Sequence, residues 1–270
     1  MVVQHNLRAM NSNRQLGLTT SAQAKSTEKL SSGYRVNRAA DDAAGLAISE
    51  KMRRQVKGLT QASRNAQDGI SAVQTAEGAL TEVHDMLQRM NVLANQAANG
   101  TNTTTDREYL NQEFAALTSE IDRVASTTTF NEKNLLYGSF KVDLQVGAEK
   151  SQYINVSISA MKASTLGITS SIDIKSSTNA ATAISTIKEA LKSVSSQRAD
   201  LGAVQNRLEH TIANLDTTSE NTSASESRIR DTDMAKEMVT YSKNNILAQA
   251  GQSMLAQANQ STQGVLAILG

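Results

Sequence analysis

The residues that could do chemistry are few and widely spaced. Three histidines, His5, His84 and His210, stand far apart, and no HExxH motif or paired ligand spacing joins any two of them. The chain has no cysteine, which excludes disulfides, thiolate nucleophiles and cysteine-containing metal sites. We therefore expect surface or interface histidines, no metal ion and no cofactor.

Pairs of acidic residues occur at three places and could in principle act as a general acid and a general base. These pairs are Asp41 with Asp42, Glu82 with Asp85, and Asp231 with Asp233. Acid–base catalysis also needs a pocket, and nothing in a chain with 3% aromatic residues indicates one. Helix capping and solvent-exposed faces are therefore the favoured interpretation. Glycine-rich phosphate loops are absent as well, so the sequence predicts no enzyme.

Composition narrows the classes of protein further. The 270 residues carry 27 Lys and Arg against 26 Asp and Glu, and they include no proline, where average usage of about 5% predicts a dozen. A net charge of +1 argues against a nucleic-acid-binding protein. No apolar run is long enough to cross a membrane, and residues 1–15 lack the apolar segment of a secretory signal peptide. If the protein leaves the cell, we expect another export route.

Apolar side chains recur every three or four residues from Met52 to Ala97, which is the spacing of one long amphipathic helix. Asp41 and Asp42 stand where an N-cap belongs, and Asn99-Gly100 forms a left-handed stop at the other end. A helix this long is too long for a compact domain, because each residue adds about 1.5 Å. We expect it to lie along a partner.

Further helices are predicted on both sides of the chain's middle. A capping box from Thr105 to Glu108 opens a second helix, whose apolar face runs from Leu110 to Val124. Helical spacing returns at about Asn179 and breaks near Arg230 to Asp233, where an aspartate could begin the last helix. Before Gly33 a sparser apolar stripe predicts a helix that mirrors the last one.

The middle of the chain changes to an alternation of apolar and polar residues. This period of two predicts a β-hairpin at about residues 137–160, and Ile172 and Ile174 indicate a further short strand. The apolar positions of the hairpin are Phe140, Val142, Leu144, Val146, Ile154, Val156 and Ile158. The fold is therefore predicted to be mainly α, with a long antiparallel helical rod or coiled coil formed from both chain ends and a small β-hairpin region in the middle.

Several long blocks of sequence, in order at both termini, resemble bacterial flagellin. They are KLSSGYRVNRAADDAAGLAISEK (29–51), SRNAQDGISAVQTAEGAL (63–80), LGAVQNRLEHTIANL (201–215), SRIRDTDMAKEM (227–238) and ILAQAGQSMLAQANQ (246–260). The resemblance covers about the first 140 and last 90 residues, and the middle is short. It implies a short flagellin with only the two inner filament domains: residues 1–42 with 233–270 as a terminal coiled-coil domain, and residues 43–232 as a rod domain.

The resemblance implies a structural subunit that polymerises into the flagellar filament and gives motility. It further implies export of the unfolded chain, assembly at the filament tip outside the cell, and contacts with an export chaperone, the filament cap and hook-junction proteins. The terminal stripes are diluted by polar residues, so we expect both ends to be mobile in the monomer and to fold on assembly. The expected filament interface comprises Val3, Leu7, Met10, Met238, Ile246, Met254, Leu255, Val265 and Leu269.

Two alternatives stay open beside the filament subunit. A hook–filament junction protein of the same flagellum shares the terminal pattern, whereas a flagellin carrying an enzyme in its middle is not favoured, because this middle is short. The segment 88–96 also resembles the flagellin region recognised by the vertebrate receptor Toll-like receptor 5. The resemblance implies Arg89, Leu93 and Glu113 as receptor-binding residues.

Overall fold

The computed structural model describes residues 6–138, 140–169 and 172–269, with side chains described as far as Ser261. Five α-helices and two antiparallel strand pairs make up this part of the chain. In chain order they are α1 (Leu7–Ser32), α2 (Ala43–Ala98), α3 (Thr104–Thr127), β1 (Thr129–Phe130), β2 (Lys133–Asn134), β3 (Lys141–Gln145), β4 (Tyr153–Ser157), α4 (Ser177–Arg230) and α5 (Met234–Leu269). The predicted mainly α fold with a small β region in the middle is confirmed.

The helix ends follow local capping chemistry. Oδ1 of Asp42 accepts a hydrogen bond from the Gly45 N–H at 2.8 Å, which satisfies a free donor in the first turn of α2. α2 ends at Ala98, directly before Asn99-Gly100, but neither of these residues has a positive φ, so the prediction of a left-handed stop was wrong although its position was right. α1 ends at Ser32 and is capped by Gly33, whose φ of 76° is left-handed and whose N–H bonds to the Lys29 carbonyl.

The capping box of α3 lies two residues before its predicted position. Oγ1 of Thr103 accepts from the Asp106 N–H at 3.3 Å, while Asp106 Oδ2 accepts from the Thr103 N–H at 2.9 Å. Thr103 keeps an extended backbone and so acts as the N-cap. The prediction of Thr105 to Glu108 was wrong, because three consecutive threonines offer the same cap and the shorter aspartate completes the box.

The β3–β4 hairpin has the predicted alternation. Val142 faces Val156 and Leu144 faces Ile154 in its register, and these apolar residues turn inward while their neighbours on each strand are exposed. The predicted strand at Ile172 and Ile174 was wrong. The Ile172 N–H closes a turn onto Thr169, and the Ile174 N–H donates to the Asn111 side chain at 3.0 Å, so neither backbone joins a sheet.

The chain divides into two compact units. Unit 1 comprises Met1–Arg54 with Asn221–Gly270, and unit 2 comprises Gln55–Glu220. The boundaries of these units fall inside α2 and α4, whereas the predicted domains, 1–42 with 233–270 and 43–232, divide at helix ends. That predicted division stays a prediction.

Nearly all of the described core belongs to unit 2. One continuous cluster joins buried residues of α2, α3 and α4 to the hairpin and to the segment that follows it. Its largest fully buried side chains include Phe114, Leu80, Leu87, Met90 and Ile121. Among the described residues of unit 1, the buried apolar ones are Val36 and Ala248. Unit 1 therefore gains far less from apolar burial than unit 2 does.

Candidate self-association surface

Helices α1 and α5 pack along each other in opposite directions within unit 1. Near one end of the pair, the Asn6 side-chain amide donates to the Ala258 carbonyl at 2.9 Å. Further along, a Leu16 methyl lies 3.3 Å from the position that a Cβ on Gly251 would take. Two small residues of the pair, Ser26 on α1 and Ala248 on α5, are buried.

The large apolar side chains of this helix pair point mainly to solvent. We call them the exposed apolar stripe: Leu7, Met10 and Leu18 on α1, and Met234, Met238, Val239, Ile246, Leu247 and Met254 on α5. Single exposed apolar residues are ordinary, but a concentration along one helix pair is typical of an interaction surface. The seam contacts place Met10 level with the turn of α5 that begins at Met254.

Five of the predicted interface residues belong to this stripe: Leu7, Met10, Met238, Ile246 and Met254. Leu255 is half-buried. Val3 and the side chains of Val265 and Leu269 lie outside the described residues. The prediction omitted four stripe residues, Leu18, Met234, Val239 and Leu247, although helical spacing from Met10, Met238 and Met254 could have indicated Leu18, Met234 and Leu247.

Within unit 1, the segment that connects α1 to α2 is hydrogen-bonded to the segment that connects α4 to α5. We call this contact the clasp and define it as residues 33–35 with 230–232 and Glu50. The Arg35 N–H donates to the Arg230 carbonyl at 2.7 Å, and the Thr232 N–H donates to the Gly33 carbonyl at 2.9 Å. The Arg230 guanidinium also lies over the Tyr34 ring, 4.7 Å from its centroid, and bonds Glu50 at 2.7 Å. The clasp therefore stabilises unit 1 through hydrogen bonds and an ion pair, because this unit has little buried apolar surface.

The predicted receptor residues fall into two environments in unit 2. Arg89 and Glu113 form a two-pronged ion pair across α2 and α3, with Nε to Oε1 at 2.7 Å and Nη2 to Oε2 at 3.1 Å, and both side chains are exposed. The hydrogen bond from Arg89 holds the pKa of Glu113 below its ordinary value of 4.5. Leu93, by contrast, is 0% exposed and belongs to the core. Its role in receptor binding stays a prediction.

The acidic residues and histidines that could have taken part in catalysis or metal binding mostly have structural roles. Asp41 accepts from the backbone of Arg38 at 3.0 Å, which lowers its pKa, and Asp233 accepts from the first N–H groups of α5. His84 lies 2.9 Å from the Gln88 amide on the same helix, and His210 is exposed. Two open clefts of about 490 and 420 Å³ in unit 2 have no histidine in their linings.

Metal and membrane features are also absent from the part of the chain that the structure describes. Within residues 6–138, 140–169 and 172–269, no group of three or more His, Cys, Asp or Glu side chains could hold a metal ion. In the same residues, no helix combines the length and apolarity that a membrane crossing needs.

Long helices from both chain ends, a small hairpin region and an exposed apolar stripe define a helical structural protein. Residues 3–141 match the family model of the bacterial flagellin N-terminal helical region, and residues 184–269 match that of the C-terminal helical region. The chain belongs to the bacterial flagellin family, whose members build the flagellar filament. The hook–filament junction alternative is not favoured.

Relatives of full length agree with this assignment. A flagellin of Halalkalibacterium halodurans is 55% identical over 271 residues, a flagellin of Bacillus subtilis is 51% identical over 303 residues, and the flagellar filament 31.3 kDa core protein of Treponema maltophilum is 50% identical over 285 residues. Each match covers 100% of both chains.

Two solved structures are similar in fold. The crystal structure of Bacillus cereus flagellin superposes with a TM-score of 0.50 at 31% identity, covering 56% of this chain and 88% of that one. A putative flagellar hook-associated protein from Vibrio parahaemolyticus gives a TM-score of 0.60 over 71% of this chain and 100% of its own, at 14% identity. The second likeness concerns the fold alone.

Proposed function

We propose that this chain polymerises with copies of itself into the bacterial flagellar filament, giving motility, and that the exposed apolar stripe of unit 1 is the main contact between copies. The observation that carries the proposal is the stripe itself. Nine large apolar side chains face solvent on a helix pair with almost no apolar core of its own. A second copy with the same long helices is the partner that could cover such a stripe along its length.

A contact between different surfaces of identical chains generates an open filament when its rotation does not close into a ring. The near-neutral charge of +1 favours this mode, because copies repel each other little at close range. We further propose that α1 and α5 become stably folded only on assembly. Ordering costs roughly 1–2 kcal/mol of backbone entropy per residue, and the two buried apolar residues described in unit 1 offset little of that.

Secretion follows as part of the same proposal. We place the assembled protein outside the cell, exported unfolded and added at the filament tip, with an export chaperone, the filament cap and hook-junction proteins as partners. The composition supports this route, because a chain without proline or cysteine refolds without prolyl isomerisation or disulfide exchange. We propose no enzymatic activity and no nucleic-acid partner.

A host receptor of the Toll-like receptor 5 type is proposed as an additional partner of the unassembled chain. Arg89 and Glu113 support this, because an exposed arginine in a two-pronged pair offers a planar, rigid anchor. Leu93 would act from within the core by supporting this part of α2, since its side chain is fully buried. Binding of the monomer by the receptor ectodomain, compared with Arg89→Ala, tests the assignment.

The filament function is tested by salting out the purified chain, shearing the product into seeds and adding fresh monomer. Electron microscopy and sedimentation then give the presence of filaments and the critical concentration. Ile246→Asn should raise the critical concentration by about tenfold or more, since the loss of about 1.4 kcal/mol or more at a central contact residue is a factor of ten. Val92→Asn is the matched control, because Val92 is an exposed apolar residue of α2 outside the stripe, and this variant should behave as the unchanged chain.

Two outcomes would contradict the proposal separately. If the unchanged chain forms no filaments on seeds, the filament function fails. If it forms filaments and Ile246→Asn leaves the critical concentration unchanged, the function stands, but the stripe is not the contact.

A further inference from the structure

The exposed methionines of the described residues all lie in unit 1, on α1 and α5, whereas Met52, on the part of α2 that belongs to unit 1, is half-buried. Among those whose side chains the structure describes, the exposed ones are Met10, Met234, Met238 and Met254, and all four belong to the exposed apolar stripe of unit 1. Met10 and Met254 are 62% and 63% exposed. In unit 2, Met90 and Met161 are buried, and Met86 is half-buried against the core.

This distribution has a chemical consequence, because a thioether reacts with peroxides only where the oxidant reaches its sulfur. We propose that Met10, Met234, Met238 and Met254 are oxidation sites for hydrogen peroxide, and that their sulfoxides block the self-association of the chain. The inference rests on the proposed function, since it takes the stripe to be the contact between copies.

The reaction is a two-electron oxygen transfer. A sulfur lone pair attacks one peroxide oxygen, so that an S–O bond forms and the O–O bond breaks. The departing hydroxide takes up the proton of the transferred hydroxyl and leaves as water. The sulfur is oxidised to the sulfoxide and the peroxide is reduced. Sulfoxide reductases return the thioether, so the modification is reversible.

Methionine sulfoxide, the product, is unfavourable in an apolar contact between copies. A flexible apolar side chain becomes polar and gains a strong hydrogen-bond acceptor, which is costly to bury without a donor. Met10 lies level with the turn of α5 that begins at Met254, so two sites of reaction share one level of the helix pair. Met234 and Met238 are one turn apart on α5 and add a second such place.

The test uses the unchanged chain in an interference experiment. Monomer is treated with hydrogen peroxide until each site is partly oxidised, quenched, and added to seeds, after which pellet and supernatant are separated. Peptide mass spectrometry then gives the sulfoxide fraction at each methionine. We expect the four stripe methionines to oxidise at least about tenfold faster than Met90 and Met161, and their sulfoxides to be depleted severalfold in the pellet.

Met86 is the internal control, because any sulfoxide formed there should divide equally between pellet and supernatant. Treating the supernatant chains with both sulfoxide reductases should restore their addition to seeds. Equal sulfoxide fractions at the four sites in pellet and supernatant would overturn the inference, as would oxidation of Met90 as fast as Met10. An untreated monomer that does not add to seeds would instead overturn the proposed function, and this inference with it.

Discussion

Gly69 and Leu144 set how closely the β3–β4 hairpin lies on α2. A methyl group of Leu144 occupies the space that a Cβ on Gly69 would need, and Gly69 is buried beneath it. A second close approach lies nearer the hairpin turn, where the Cβ of Ala148 is 2.8 Å from the Cβ position on Gly58. Glycine inside a helix normally destabilises it relative to alanine. Here the close approach of the hairpin explains why α2 has glycine at these two positions.

Replacing Gly69 by alanine should therefore destabilise unit 2. The added methyl group displaces a methyl group of Leu144 that packs against the core, and overpacking of this kind costs about 1–3 kcal/mol, against a gain of at most about 1 kcal/mol in helix propensity. Urea unfolding followed by circular dichroism measures the difference. Gly78→Ala is the matched control, because Gly78 lies on the same helix with nothing within 4 Å of its Cβ position and should stabilise the chain. Equal effects at the two sites would contradict this account.

The turn between β1 and β2 holds two residues in a left-handed conformation. Asn131 has a φ of 47° and Glu132 a φ of 64°, as a two-residue hairpin turn requires, but glutamate adopts this conformation at a cost. Glu132→Gly should stabilise the chain by about 0.5–1 kcal/mol, because glycine removes the strain and loses part of the gain to its greater freedom when unfolded. Glu132→Ala keeps the strain and should give no gain in the same unfolding measurement.

Acid should weaken the contact between α2 and α3 that Arg89 and Glu113 make. The pKa of Glu113 is lowered by the hydrogen bond from Arg89, so the pair stabilises the fold above the unfolded-state pKa of glutamate and is lost as the pH falls through the lower, folded-state pKa. The stability difference between the unchanged chain and Glu113→Gln should therefore shrink as the pH falls below 4.5. Urea midpoints of both proteins across this range measure it, and a difference independent of pH would contradict the pairing.

The clasp predicts an effect that depends on the shape of one side chain. Arg230 is 14% exposed and uses a planar group to stack on Tyr34 while it bonds Glu50. Arg230→Lys keeps the positive charge but loses the planar guanidinium group. It should lower the free energy of protection against hydrogen exchange at the Arg35 and Thr232 amides by about 1–2 kcal/mol. Arg228→Lys is the control, because Arg228 is exposed and its hydrogen bond goes to Ser225 on the same helix. Hydrogen exchange at the two amides distinguishes the variants.

The helices were predictable because each presents apolar residues every three or four positions over many turns. Asp42 and Gly33 were identifiable as helix-capping residues from residue type alone. Ile172 and Ile174 were not, since two isoleucines in alternation fit a strand and a turn equally well. For Ile174 the deciding hydrogen bond is the one that its N–H donates to the side-chain oxygen of Asn111, which lies 63 positions away in the chain.

The candidate site shows the same limit. Five of the nine stripe residues were predicted from helical spacing, whereas the resemblance that implied the receptor residues of unit 2 gave residue types without the direction of each side chain. Leu93 continues the spacing of Met90 and Ala97, both fully buried, and that spacing indicates the core face of α2. The pairing of Arg89 with Glu113 could not be predicted from spacing, because the register of α3 against α2 depends on the loop between them.

The thin packing of unit 1 leads to a prediction about the monomer. In dilute solution, backbone amides of α1 and of α5 beyond residue 235 should exchange within seconds to minutes, while those of α2 near Leu87 and of α4 near Ile187 should be protected far longer, because only the latter lie over a continuous core. Assembly should bring α1 and α5 to similar protection, since neighbouring copies then cover the stripe. Mass-spectrometric hydrogen exchange on monomer and filament from one preparation compares both. Strong protection before residue 35 and after residue 235 in the dilute monomer would show that unit 1 folds without its neighbours.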